Sequence, residues 1–326
     1  MKVKINKSIS LDKFIDNSLY NKASGYYMKK NPFGKKGDFI TAPNISILFS
    51  EMISIWVIAL WEKLKKPKKI NIVELGAGNG EMMLNLIKTS NQFLFFKNAC
   101  NFFIFEKSPY LKKIQKEKLK NYKVRWLKKI IKVNNSPTIF IGNEFFDSLP
   151  IKQFTKKNGI WFERHIDTSS KKEKFLEKKI DVKKFEKKIG INITKNQKFI
   201  EFSPLMIDLL KKISTIVNKN DGGLLIVDYG YFNKKMFNTL QSVKNHKKID
   251  ILNNVGSSDI THLLNYKFIE KIVKKLKLKV SGFSTQRNFL IKLGILERAE
   301  IIAKNLPFLM KANIYYRLKR LIDLKQ

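Results

Sequence analysis

Two short stretches carry residues whose types and spacing can do chemistry. In NIVELGAGNGEMM, residues 71–83, an apolar run closes on Glu74 and Leu75, and glycines follow at alternate positions, Gly76, Gly78 and Gly80. Glycine has no Cβ, so this spacing lets backbone pass close to a bound molecule. Glu106 ends the next apolar run, 30 positions after Gly76. An ionised carboxylate there offers two acceptor oxygens, enough for both hydroxyls of a ribose. In IFIGNEFFDSLPIKQF, residues 139–154, Asn143, Glu144 and Asp147 directly follow another apolar run. Carboxylates so placed can fix a cationic group; Asn143 or Asp147 can equally cap a helix.

The glycine spacing discriminates between ligands. A dinucleotide fingerprint reads G-x-G-x-x-G, with an acid about 20 residues further on. Here the third glycine comes one residue early and the acid arrives later. The spacing resembles the S-adenosylmethionine loop of class I methyltransferases more than a nicotinamide site. That ligand has no phosphate, so no anion has to meet a helix N-terminus. An acidic neighbourhood of Glu74 and Glu106 suits its sulfonium and ammonium charges. A glycine-rich turn that holds no ligand would look the same locally.

These residues need elements to position them. Residues 8–19 read as a helix with Ser8 or Ser10 as cap. Residues 20–43, with glycines at 25, 34 and 37 and prolines at 32 and 43, read as a loop long enough to act as a lid. Apolar spacing predicts a helix over 44–64. Strands at 70–75, 101–106, 124–127, 138–142 and 222–230 then alternate with helices, and 278–285 with 288–294 read as a closing hairpin. Such alternation implies a parallel sheet covered on both faces. From Gly142 to Gly222 there are 80 positions, more than a crossover needs. This gap contains an Asn158-Gly159 hairpin signal and a charged stretch, 169–190, expected to be helical or exposed. The expectation is therefore an α/β fold with a Rossmann-like doubly wound sheet, an inserted subdomain and an N-terminal helical and loop extension. Residues 1–64 form the N-terminal helices and lid, 65–150 and 201–326 the ligand-binding sheet domain, and 151–200 the inserted substrate-side subdomain. The insert is expected beside the carboxyl ends of the strands, where such sheets bind ligands.

Composition narrows the function classes. The single cysteine, Cys100, rules out an internal disulfide and a Cys-rich metal site, and His165, His246 and His262 have no zinc spacing. The formal charge of +38 comes almost wholly from lysine scattered along the chain; arginine occurs only at 125, 164, 287, 298, 317 and 320. Lys, Asn, Ile and Phe rise together, as A+T-rich coding makes them, so no specific nucleic-acid partner is expected. The most apolar run, 93–105, is broken by Lys97, Asn98 and Asn101, so no membrane span is expected. The start has neither a secretory apolar core nor arginine, and a cytoplasmic, bacterial-type location is expected. The oligomeric state is not legible.

Taken in order, GDFITAPNIS (37–46), ELGAGNG (74–80), NEFFDSLPIKQF (143–154) and the later IVDYG, TLQSVKNHKKIDIL, DIT and TQRNFLIKLGILERA resemble the MidA family of methyltransferases over about residues 18–304. NEFFDSLPIKQF with GDF-x-T-x-P is the specific part. The resemblance implies a class I S-adenosylmethionine fold and protein-arginine methylation. The family includes a mitochondrial assembly factor that methylates an arginine of a respiratory complex I subunit, so a protein substrate of that kind is implied. It further implies that Gly76, Gly78 and Gly80, with Glu74, form the cofactor loop and that Glu106 is the ribose acid. Gly37, Asp38, Phe39 and Thr41 match the loop that closes over the cofactor, and Asn143, Glu144 and Asp147 the post-strand motif facing the methyl group. The chain departs from the family at Asn44, where Glu is usual, and in DITHLLNY, where Asn265 replaces Asp and His262 lies one place from the frequent His.

The carboxylate expected to hold and polarise a guanidinium is Glu144, with Asp147 second. Other readings stay open on sequence alone: methylation of a small molecule or RNA, a non-catalytic complex I assembly chaperone, and an NAD-dependent oxidoreductase.

Overall fold

The computed structural model describes residues 8–29, 32–34, 38, 41–133, 135–169, 173–244, 247–253 and 255–323. The chain divides into two compact units. One comprises Asn31–Asn143, Thr215–Val227 and Val280–Gln326, the other Met1–Lys30, Glu144–Ser214 and Asp228–Lys279.

The first holds a wholly parallel five-stranded sheet in the order Gly222–Val227, Thr138–Asn143, Ile70–Leu75, Cys100–Phe105, Val124–Leu127. This is the Rossmann-like sheet of a class I methyltransferase fold. Ile70–Leu75 is buried at every position, as expected for a strand with both faces covered. The chain adds two strands on one side of it, then returns to lay Thr138–Asn143 on the other. The reversal falls where Leu75 pairs with Gly142. Crevices outside the carboxyl ends of strands at such a reversal are where these sheets take ligands.

Helix Ile47–Lys63 is apolar nearly all round, and Ser46 Oγ accepts the Leu48 N–H to fix its start. Its Phe49, Met52, Ile53 and Trp61 join Ile70, Ile72, Ile139 and Ile141 in one core. Arg298 grips Glu51 with two bonds of 2.9 and 2.8 Å, tying helix Ile295–Ala303 to this helix. The opposite sheet face buries Val73, Leu75, Phe103 and Phe140.

The expected closing hairpin is not formed. Residues 278–285 carry no strand, and the next segment is helix Gln286–Lys292. Thr285 Oγ1 accepts the Asn288 N–H and caps it, and Leu290 is buried. A three-residue apolar run such as Phe289–Leu290–Ile291 fits either period; the capping residue before it decides for helix.

The other unit is built on antiparallel pairs: Ser8–Ser10 with Ile160–Asp167, Ile160–Asp167 with Lys152–Lys157, and Lys152–Lys157 with Phe199–Phe202. Lys174–Lys179 pairs with Ile160–Asp167 as well. The Asn158-Gly159 hairpin forms, with φ of 46° and 80°, the conformation a two-residue turn of this hand requires. The charged stretch divides into the largely exposed strand Lys174–Lys179 and helix Val182–Ile189, which Asp181 caps. Phe154, Phe185, Phe202 and Phe268 pack edge to face as the centre of this unit. Helix Leu11–Tyr20 belongs here too, with Ser8–Ser10 as a short strand before it. Within residues 20–43 the described part includes the short helix Tyr26–Lys29.

Candidate functional site

In the parallel-sheet unit the first strand runs straight into the glycine loop. Gly76, Gly78 and Gly80 all take left-handed backbone, with φ of 66°, 50° and 79°. L side chains rarely adopt it. Gly76 N–H donates to Phe105 O, and Gly80 N–H to Ala77 O, before helix Glu81–Ser90 begins. At Gly78 a Cβ would also press to 3.3 Å from the Phe33 ring. The glycines are thus required by the turn itself and, at Gly78, by the close approach of Phe33.

Glu106 follows the neighbouring strand Cys100–Phe105 and is buried. Its carboxylate accepts from Ser108 N–H at 2.9 Å and from Gln115 Nε2 at 3.1 Å. Burial raises its pKa, and these donors oppose the rise. Gln115 Nε2 also donates to Gly78 O at 2.9 Å, while its Oε1 accepts from Trp126 Nε1 at 2.9 Å. One fully buried side chain therefore fixes the glycine loop and Glu106 together. Glu74 has a different environment. Burial, then the charge of Glu106, raises its pKa to about 8, and among the described residues its Oε2 has no hydrogen-bond partner.

Thr41 Oγ1 accepts from Asn44 Nδ2 at 2.8 Å, and Asn44 Oδ1 accepts from Asn79 Nδ2 at 2.8 Å. This chain of amides ties the segment after Thr41 to the glycine loop, through the position where the family usually has Glu. Asp38 is buried. Gly37 and Phe39 lie outside the described residues. Asn143 ends its strand in this unit.

The remaining expected residues, Glu144 and Asp147, lie in the antiparallel unit. Glu144 has a φ of 48°, uncommon for a residue with a side chain and a recurrent feature of functional sites. The turn after it is held by Asp228. Asp228 Oδ2 accepts from the N–H groups of Phe145, Phe146 and Asp147 at 3.2, 2.9 and 3.2 Å, and Oδ1 from Tyr229 N–H. Burial and the charge of Glu144 lift Asp228 to about 7 against those four donors. Asp147 is pushed well up by burial and by Asp228, Asp259 and Glu144. Tyr27 donates to Asp259 at 2.9 Å and stacks on Tyr20, and Tyr266 Oη donates to Asp228 O. Four carboxyl groups are gathered among tyrosines in a chain whose net charge is +38. His262 is buried and driven down to about 4, so it is neutral at pH 7, and its backbone N–H donates to Asp147 O. That is a structural contact.

A family model described as "Putative S-adenosyl-L-methionine-dependent methyltransferase" matches residues 52–284. The chain belongs to this methyltransferase family. Its kin are the MidA methyltransferases expected from the motifs, its cofactor is S-adenosylmethionine, and the NAD-dependent oxidoreductase reading is set aside. Protein arginine methyltransferase NDUFAF7, mitochondrial, of Xenopus tropicalis is 28% identical over 338 residues, covering 92% of this chain and 75% of its own. The human protein of that name is 25% identical over 325 residues, covering 92% of this chain and 73% of its own. In fold, a COG1565 superfamily protein from Burkholderia thailandensis, solved bound to S-adenosyl-homocysteine, superposes with a TM-score of 0.80 at 19% identity. The match covers 98% of this chain and 85% of that one.

The residues present fit the methyltransferase cofactor. Glu106 is a buried carboxylate fixed by two donors, as a diol acceptor needs to be, Gly76, Gly78 and Gly80 put no side chain on the turn, and Glu74 Oε2, without a partner among the described residues, suits a donor such as an ammonium. Sequence reasoning missed Gln115 and gave no role to Asp228, Asp259 or Tyr27. Gln115 had a signal: with Leu111 and Leu119 it continues an i, i+4, i+8 stripe, all three buried, in an otherwise lysine-rich helix.

Proposed function

We propose that this methyltransferase modifies an arginine side chain of a protein, and that the target is a respiratory complex I subunit, as the family resemblance implies. The observation that carries the reading is the gathering of Glu144, Asp147, Asp228 and Asp259 in so cationic a chain. A cluster that its own charge drives toward protonation is stabilised by a guanidinium, which keeps its proton to pH above 12. The names of the relatives from frog and human point the same way.

In this reading Gly76, Gly78 and Gly80 admit the cofactor, Glu106 accepts its ribose hydroxyls, and Glu74 faces its ammonium. Gly37, Asp38, Phe39 and Thr41 belong to the segment that closes over it. S-adenosylmethionine, when bound, supplies a methyl carbon made electrophilic by a sulfonium. Glu144 fixes the guanidinium plane by charge-assisted bonds and concentrates electron density on one nitrogen. Asp147 is the second carboxylate of that pair, and Asn143 is the neutral polar residue of the same motif. The nitrogen sheds its proton to one of the carboxylates or to water as it is methylated. Residues 151–200 serve as the substrate-side subdomain.

The test is to incubate purified protein and radioactive methyl donor with a lysate lacking the protein, then to hydrolyse the labelled fraction. Methylarginine in a polypeptide is the expected result. Label confined to RNA or to small molecules overturns the proposal.

A further inference from the structure

The last helix of the parallel-sheet unit, Phe308–Ile322, carries none of the residues assigned to the cofactor or to the substrate. Leu318 and Leu321 bury one side in the core with Leu290, Ile295 and Ala299. The outward side is exposed and apolar: Phe308 is 81% exposed, Leu309 80%, Met310 57% and Tyr316 64%. Phe308, Ala312 and Tyr316 follow one another at four-residue spacing, which puts them on one line along the helix. A groove of about 680 Å³ flanks this stripe, lined by Ile47, Ile302, Leu309, Met310 and Arg317 and reaching Asn44.

The charges on the helix itself are all of one sign. It carries Lys311, Arg317, Lys319 and Arg320, and no Asp or Glu. Glu81, which also lines the groove, is paired with Lys118 at 2.6 Å. Arginine is what makes the patch informative. Lysine is inflated throughout the chain, but only six arginines occur, and two of them stand here. Arg298 is occupied by Glu51 and Arg287 by the Ile322 carbonyl; among the described residues Arg317 and Arg320 form no ion pair.

We propose that this face seats the enzyme on an anionic membrane surface. The helix lies in the plane of the interface, with Phe308, Leu309, Met310 and Tyr316 entering the boundary between headgroups and acyl chains. Lys311, Arg317, Lys319 and Arg320 meet the lipid phosphates. Apolar and aromatic residues rimmed by Lys and Arg are what such a surface binds. The helix lies on the bilayer and does not cross it: its 15 residues reach about 22 Å, short of the roughly 30 Å hydrocarbon core. A second copy of the chain fits less well, because a two-fold contact through this face would set the same cations against each other. The inference does not depend on which group the enzyme methylates.

Sedimentation with vesicles tests it, using phosphatidylcholine alone and phosphatidylcholine with phosphatidylglycerol at near-physiological salt. A variant combining Phe308→Ser, Leu309→Ser and Tyr316→Ser keeps the net charge, so general attraction of a basic chain is unchanged. It should bind the anionic vesicles at least about tenfold more weakly than wild type, since the buried apolar area is lost. Arg317→Gln with Arg320→Gln should weaken binding about tenfold or more and reduce its salt dependence. Both variants should bind S-adenosyl-homocysteine normally, which separates membrane seating from the cofactor site. Vesicle binding equal for wild type and the serine variant overturns the proposal. So does a wild-type dimer that these serine substitutions dissociate.

Discussion

Gln115→Met should weaken the cofactor site without filling or emptying it. The swap nearly conserves volume, so packing changes cost less than about 1.5 kcal/mol. What goes is polar. Gly78 O loses its 2.9 Å donor, Trp126 Nε1–H its 2.9 Å acceptor, and Glu106 the 3.1 Å donor from Gln115. Leaving buried groups unpaired costs about 1–3 kcal/mol each, but Trp126 is only half-buried, so a stability loss of about 2–4 kcal/mol is expected. A hydrogen bond to a charged group contributes about 1.5–3 kcal/mol. If holding Glu106 in place is the function of Gln115, cofactor affinity should fall about ten- to hundredfold, with kcat at saturating cofactor little changed.

The pH dependence separates this from simple destabilisation. Burial already raises Glu106, and the Gln115 bond lowers it. In the role proposed for Glu106 the ionised carboxylate accepts both ribose hydroxyls, so affinity should fall as pH drops through its pKa. Removing Gln115 raises that pKa, and the acid limb of binding must move to higher pH. Titration calorimetry with S-adenosyl-homocysteine between pH 5 and pH 8, beside thermal melts, reads both effects. A variant that melts lower but binds with wild-type affinity and an unmoved acid limb would refute the reasoning and leave Gln115 a core filler.

Glu144→Gln keeps shape and removes charge; methylation should fall about a hundredfold or more at unchanged cofactor affinity, as steady-state rates and calorimetry will read. Gly78→Ala places a side chain at φ 50° and 3.3 Å from Phe33, so thermal melts should show a loss of about 1–2 kcal/mol, with weaker cofactor binding. Glu74 has a folded pKa of about 8 against an ordinary 4.5, so its stabilising proton is fully present below pH 4.5 and lost as pH rises toward 8. Melting temperature without cofactor should therefore fall over that window, and Glu74→Gln should flatten the fall.

The sequence made the local features legible and hid those that depend on distant meetings. The glycine loop and Glu106 could be placed because strand ends and glycine spacing are properties of a few adjacent residues. The Asn158-Gly159 hairpin was legible for the same reason. Asp228 was not, because its role exists only where it meets the backbone of Phe145, Phe146 and Asp147, more than 80 positions earlier. The left-handed backbone of Glu144 follows from that clasp and has no signature of its own, since nothing about glutamate announces a φ of 48°. The failed hairpin at the end of the chain shows the limit of apolar runs. Phe289, Leu290 and Ile291 are a strand by composition and a helix by capping, with Leu290 buried in the core and Phe289 and Ile291 packed partly buried against it.

Two carboxyl groups beside one loop thus divide the work by their surroundings. Glu106 receives donors from Ser108 and Gln115, which oppose its desolvation and hold its oxygens in one orientation before any ligand arrives. Glu74 receives less, keeps one oxygen unpaired, and is lifted to about 8 partly by Glu106 itself. The donors to Glu106 favour its ionised form, whereas near neutral pH Glu74 retains a proton. A cation beside Glu74 lowers its pKa and drives that proton off. In the proposed role of Glu74, the energy of binding a positively charged cofactor is partly the relief of this carboxyl group. On that reading a neutral ligand with the same adenosine gains only the share proposed for Glu106.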